Sequence, residues 1–102
     1  MVELLGNNYR RELLWLLALG EEGFYKLSLE RRKRIFKMIS SIYWHLLINK
    51  ATVFELAKFL GVDENQMHDM FTIIILYGDL EGDIVGIIRV NTGGRWYKFG
   101  NL

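Results

Sequence analysis

Two histidines and three serines are the side chains in this sequence that could, by type, support metal binding or nucleophilic catalysis. His45 and His68 lie far apart, and neither has a second ligand at a metal-binding spacing such as His-Glu-x-x-His. Cysteine is absent, which removes zinc sites built on thiolates and thiol nucleophiles. Ser28, Ser40 and Ser41 lack the strand-turn-helix context of a nucleophile elbow. We therefore expect no metal site here.

A short acidic repeat resembles the start of a calcium-binding loop. Asp79, Glu81 and Asp83 alternate as the first ligands of such a loop would. The position that requires glycine is Ile84, however, and the final bidentate ligand would be Val90. We expect no calcium site, no cofactor and no enzymatic activity.

Composition indicates one folded domain, residues 1 to 102. Hydrophobic residues make up 51% of the 102 residues and charged residues 25%, which is typical of a globular protein. No apolar run approaches the roughly 20 residues of a membrane-spanning helix. The first residues lack the basic region and the small-residue cleavage site of a signal peptide. The sequence therefore predicts a cytoplasmic protein without a membrane segment.

The formal net charge of +1 conceals two opposed halves. Residues 1 to 50 contain nine basic and five acidic side chains, a net charge of +4. Residues 51 to 102 contain four basic and seven acidic side chains, a net charge of −3. Such asymmetry is found both in partner-binding faces and in ordinary solvated faces.

The first half reads as two helices. Residues 8 to 19 predict a helix that Gly20 ends, followed by a loop over residues 21 to 23. Its apolar residues 13 to 19 cover nearly the whole circumference, which indicates a central helix or one packed on a second chain, so a homodimer is an open expectation.

A longer second helix is predicted from a cap at Ser28 to about Ile48. At 100° per residue it is amphipathic. The apolar arc comprises Ile35, Met38, Ile39, Ile42, Tyr43, Leu46 and Leu47, and the opposite arc comprises Lys33, Arg34, Lys37, Ser40, Ser41, Trp44 and His45.

The second half predicts two short helices and a hairpin. Thr52 caps a helix over residues 53 to 60 that Gly61 ends in a left-handed conformation. Asp63 and Gln66 read as a capping box for a helix over residues 64 to 77, ended by Gly78. The β-branched run 82 to 90, the turn 91 to 94 and the aromatic segment 95 to 99 predict a β-hairpin.

Residues 50 to 99 resemble the winged helix-turn-helix superfamily. The resemblance rests on TVFELAKFLGVDENQMH at residues 52 to 68 and ILYGDLEGDIVG at residues 75 to 86. Within the superfamily, these motifs are most similar to PCI-type and related protein-interaction winged helices. The first 49 residues match no family that we can name. The resemblance implies an α+β, mostly helical fold, in which two N-terminal helices (residues 1 to 49) pack on a winged helix-turn-helix with a C-terminal β-hairpin (residues 50 to 102).

Members of that superfamily bind either DNA or proteins. In DNA-binding members the second helix enters the major groove and the wing contacts the backbone. The candidates here are Asn65, Gln66 and His68 on the helix and Arg89, Arg95 and Lys98 at the wing. The helix also carries Glu64 and Asp69 but no Arg or Lys, which departs from the DNA-binding pattern and favours a protein partner.

The basic run near the start of the second helix is the strongest charge signal: Arg31, Arg32, Lys33, Arg34 and Lys37. Positive charge near a helix N-terminus opposes the helix dipole, so the run does not stabilise the helix. Phosphate contact, an acidic protein partner and a solvated face all explain it.

These observations predict a non-enzymatic module for protein or peptide binding. It would present a groove between the N-terminal helices and the winged unit, or the exposed edge of a strand over residues 95 to 99. The candidate contacts are Trp15, Trp44, Trp96, Tyr97 and Phe99. The alternative is a double-stranded DNA-binding transcriptional regulator.

Overall fold

All regular secondary structure in the described part of the chain is α-helical. A computed structural model describes residues 7 to 80 together with Arg95 and Trp96. Its elements are α1 (Asn7–Lys26), α2 (Leu29–Ile48), α3 (Val53–Leu60) and α4 (Glu64–Leu80). No strand occurs among these residues. The predicted α+β fold, with its winged helix-turn-helix and C-terminal hairpin, is therefore wrong as a description of this part of the molecule.

The hairpin was predicted from β-branched and aromatic residues. Its residues 82 to 94 and 97 to 99 lie outside the described residues. Arg95 and Trp96 are described, and neither is in a strand. The backbone of Trp96 pairs with a side-chain amide of α4 instead of a neighbouring strand.

Three helix starts follow local signals that the sequence predicted. The hydroxyl of Ser28 accepts a hydrogen bond from Arg31 N at 3.2 Å and caps α2. Thr52 and Glu55 form a reciprocal capping box at the start of α3. Asp63 Oδ1 accepts from Gln66 N at 2.8 Å at the start of α4. Each of these bonds satisfies an N–H group that a helix N-terminus leaves without an intrahelical partner.

Helix α1 is broken at Gly20 and then continues, so the predicted loop over residues 21 to 23 is wrong. Gly20 has φ 79° and ψ 171° within an otherwise helical run. The change of direction allows the second segment to bury Phe24 completely, edge-on to Tyr77 of α4 at 5.3 Å between ring centroids. Tertiary burial of one aromatic ring thus extends the helix beyond its glycine signal.

Alanine substitutions at the two described glycines with positive φ are expected to lower stability by different amounts. The conformation of Gly20 is one that essentially only glycine adopts, so we expect Gly20→Ala to cost about 1–3 kcal/mol. Gly61, which ends α3, has φ 73° and ψ 31° with open space where a Cβ would stand, so Gly61→Ala should cost roughly 1 kcal/mol. Urea unfolding followed by circular dichroism measures both. A smaller loss for Gly20→Ala than for Gly61→Ala would contradict the break in α1.

Helix α4 passes through Gly78 to Leu80 and does not end at Tyr77 as predicted. A Cβ on Gly78 would overlap the ring of Phe36 on α2. The glycine is therefore a close-approach position between two helices and not a helix stop.

Helix α4 lies at the centre of the core and packs against α1, α2 and α3. Its fully buried side chains Met67, Met70, Ile73 and Ile74 meet Leu13 and Leu16 of α1, Ile39 and Leu46 of α2, and Leu56 of α3 within one hydrophobic cluster. Within residues 7 to 80, no helix is both long enough and apolar enough to cross a membrane.

Candidate binding surface

One side of α2 faces solvent along its whole length. Residues spaced three or four apart share a helix face, and six exposed residues follow that spacing from the first turn to the last. We call these residues the outer face of α2: Lys33, Lys37, Ser41, Trp44, Leu47 and Ile48. The opposite side contains the buried residues Ile35, Ile39, Ile42 and Leu46, as predicted. The outer face is thus basic at its N-terminal end and apolar at its C-terminal end.

The apolar end exposes large side chains close together. Trp44 is 66% exposed and Ile48, one turn later, is 74% exposed. Leu47 and Tyr43 are 47% and 41% exposed, although the sequence placed both on the buried arc. They lie at the margin of that arc, where no described helix covers them. Contiguous exposed apolar surface on a small protein often marks an interaction site.

Basic side chains near the start of α2 contact two neighbouring helices, α1 and α4. Arg31 lies over the ring of Trp15 on α1, with its Cζ atom 5.4 Å from the ring centroid. Arg31 and Arg34 also line a cavity of about 270 Å³ beside Glu12 of α1. Arg32 is half-buried over the ring of Tyr77 at 5.3 Å. None of the basic side chains of α2 forms a salt bridge with a carboxylate among the described residues.

Two separate cavities lie along the boundary between α2 and α4. The first, of about 400 Å³, lies at the basic end of α2 beside the end of α4. Its lining is Leu29, Lys33, Phe36, Lys37, Tyr77 and Gly78. The second, of about 270 Å³, lies beside the apolar end and is lined by Tyr43, Val53, His68, Phe71, Thr72, Ile75 and Leu76. We call this surface the α2–α4 groove. Sequence periodicity did not reveal it, because it forms only where two helices pack.

His68 is part of the wall of the second cavity. Its imidazole stacks on the ring of Phe54 of α3, with 5.0 Å between centroids and 16° between planes. Its Nδ1 atom lies 3.5 Å from Asp69 Oδ1. These contacts orient the imidazole ring toward neighbouring side chains of the protein.

Gln66 and Trp96 are joined by two hydrogen bonds across thirty positions of sequence. Gln66 Nε2 donates to Trp96 O at 2.7 Å, and Trp96 N donates to Gln66 Oε1 at 2.9 Å. Gln66 therefore does not complete the predicted capping box with Asp63, of which only the Asp63 half forms. The indole Nε1 of Trp96 donates to Leu16 O at 3.3 Å, in the turn before the break in α1.

The predicted nucleic-acid residues of α4 have different environments in the structure. Asn65 is exposed, whereas the polar atoms of Gln66 pair with Trp96 and His68 stacks on Phe54. Arg89 and Lys98 lie outside the described residues, and Arg95 is exposed. Arg95 precedes Trp96, whose backbone bonds to Gln66 near the start of α4.

The predicted partner-binding aromatic residues have different environments. Trp96 is fully buried, so its side chain is part of the core and is not open to a partner. Trp15 is 38% exposed beneath Arg31. Tyr97 and Phe99 lie outside the described residues. Among the predicted residues with a described structure, Trp44 is the most exposed aromatic side chain.

Among the described residues, no group of three or more His, Asp or Glu side chains is arranged to hold a metal ion. No family model matches the chain, and no curated protein or solved structure is significantly similar to it. The resemblance of residues 50 to 99 to winged helix-turn-helix proteins is not tested by these comparisons and stays a prediction.

Proposed function

We propose that this protein is a non-enzymatic binding module that contacts a protein or peptide partner through the outer face of α2. The observation that supports this most strongly is the exposure of Trp44 and Ile48, one helical turn apart on the same face. Tryptophan is enriched among the residues that dominate the affinity of protein interfaces. Two large apolar side chains one turn apart form a contiguous patch, and such patches mark interaction sites more often than isolated exposed apolar residues do.

The size of the apolar end fits one small interface. Roughly 400 Å² of apolar surface is presented by Tyr43, Trp44, Leu47 and Ile48. A standard interface buries about 800 Å² on each partner. The apolar end would supply the centre of such an interface and the adjacent lysines its polar rim.

Capture of a cellular partner by the unaltered chain and by two matched variants tests this proposal. Trp44→Ala removes the exposed ring of α2, and Trp15→Ala makes the same change on α1. We expect the tagged chain to retain a specific partner from its native cells, Trp44→Ala to retain less than about a tenth as much, and Trp15→Ala to retain it. Loss with Trp15→Ala alone, equal capture by both variants, or no partner with the unaltered chain would contradict the proposal.

The alternative proposal is a double-stranded DNA-binding regulator. The exposed Lys33, Arg34 and Lys37, without carboxylate partners among residues 7 to 80, favour it. Fluorescence anisotropy with random duplex DNA across salt concentrations tests it. A steep decrease of affinity with salt is expected if several of these side chains neutralise phosphates, and no binding at low salt would remove the alternative.

A further inference from the structure

We infer that the partner segment is an acidic amphipathic helix that lies in the α2–α4 groove, an inference that rests on the proposed function. Three features of the described surface support it. They are the shape of the groove, the distribution of charge along it, and the absence of salt bridges between its lysines and described carboxylates.

The shape of the groove fits a helix. The α2 side of the groove extends from Leu29 to Tyr43, roughly 21 Å at 1.5 Å per residue. A partner helix of four turns covers that distance. The cavities of about 400 and 270 Å³ lie at opposite ends of the groove, where side chains from different turns of such a helix would enter. Insertion of apolar side chains at helical spacing is the usual way in which a groove binds an amphipathic helix.

The distribution of charge along the groove indicates which residues the partner helix should carry. Lys33 and Lys37 line the larger cavity beside the apolar side chains of Leu29, Phe36 and Tyr77. A carboxylate at the rim with an apolar side chain below would complement both features. Toward the other end the outer face changes to Trp44, Leu47 and Ile48, which require an apolar partner surface. The expected helix therefore has acidic residues toward one end and apolar residues along its docked side.

The lysines are not neutralised by described parts of the chain. Glu30 is the one acidic residue of α2, and it forms no salt bridge with Lys33 or Arg34. Gly78 lines the larger cavity. The next residue, Asp79, likewise forms no salt bridge with Lys33 or Lys37. Among the described residues, no carboxylate forms a salt bridge with the lysines of the groove, so their positive charge would complement acidic residues of a partner.

A pair of synthetic peptides tests the inference with the full chain. Each is about 18 residues long, with leucines at helical spacing, and they differ only in carrying Glu or Lys toward one end. We expect the labelled Glu peptide to bind about tenfold more tightly than the Lys peptide by fluorescence anisotropy, and its affinity to decrease as salt rises.

Substitutions in the protein locate the effect. Lys37→Glu should weaken the Glu peptide about fivefold or more and improve the Lys peptide, whereas the control Arg11→Glu, on an exposed residue of α1, should change neither by more than about twofold. Loss of Glu-peptide binding in Trp44→Ala would place the peptide on the same face.

Several outcomes would overturn the inference. They are equal binding of the two peptides, no binding of either, and preference for vesicles of phosphatidylserine and phosphatidylcholine over the Glu peptide. Dimerisation of the chain that Trp44→Ala abolishes would also overturn it, because a second copy would then occupy the face. The proposed function is tested separately by capture of the cellular partner with Trp44→Ala, so failure of the Glu peptide would reject the partner's chemistry and leave that result standing.

Discussion

Trp96→Ala is expected to lower the free energy of unfolding by about 3–5 kcal/mol, the usual cost of removing a large buried aromatic side chain. Trp96 is fully buried, its ring lies 5.8 Å from that of Phe24, and its indole donates to Leu16 O. For a domain of this size such a loss lowers the melting temperature by roughly 15 °C or more. Urea unfolding monitored by circular dichroism measures it.

The control is the same substitution at an exposed ring. Trp44→Ala should change stability by no more than about 0.5 kcal/mol, because Trp44 is 66% exposed. Trp96→Phe keeps an aromatic ring but cannot donate to Leu16 O, so its smaller loss measures that hydrogen bond together with the reduced packing. Equal effects of Trp96→Ala and Trp44→Ala would show that Trp96 is not part of the core.

Gln66→Met is expected to cost about 2–4 kcal/mol, although Gln66 lies on the surface of α4 and is only half-buried. Methionine has a similar length but can neither donate to Trp96 O nor accept from Trp96 N. Two backbone groups next to a buried side chain then lose their partners. Thermal and urea unfolding measure the loss.

The neighbouring residue supplies the control for Gln66. Asn65 is exposed, so Asn65→Met should be nearly neutral. Gln66 bonds to the backbone of residue 96, which Trp96→Ala retains, so a double-mutant cycle measures whether these bonds depend on burial of the ring. If the buried ring holds the segment in place, Gln66→Met should cost little more in the Trp96→Ala background, with a coupling of about 1–3 kcal/mol. Additive effects would show that the two backbone bonds form without the ring.

Local signals predicted where helices begin because a cap depends on residues three positions apart. Ser28, Thr52 and Asp63 all accept the expected backbone bonds, and Gly61 ends α3 in the left-handed conformation. The helix end predicted at Gly20 coincides with the break in α1, whereas the loop predicted after it and the helix end predicted at Gly78 were wrong, both for tertiary reasons. Burial of Phe24 and the approach of Phe36 to Gly78 decide those positions, and neither contact is visible in a local pattern.

The candidate surface was predictable in part. Helical periodicity placed Lys33, Lys37 and Trp44 on one side of α2, opposite the buried residues. The cavities beside α4 were not predictable, since they depend on how two helices pack. The role of Gln66 was also missed: its spacing from Asp63 indicated a capping box, whereas its side chain bonds to a residue thirty positions later.

The affinity of the captured partner for Trp44→Ala tests the central claim most directly. Isothermal titration calorimetry would compare the unaltered chain, Trp44→Ala and Trp15→Ala, after unfolding experiments confirm that all three are folded. If the outer face of α2 is the binding surface, Trp44→Ala should weaken binding by about thirtyfold or more, as expected for an interface hot spot, and Trp15→Ala should have little effect. Affinity for Trp44→Ala within about twofold of the unaltered chain would contradict the claim.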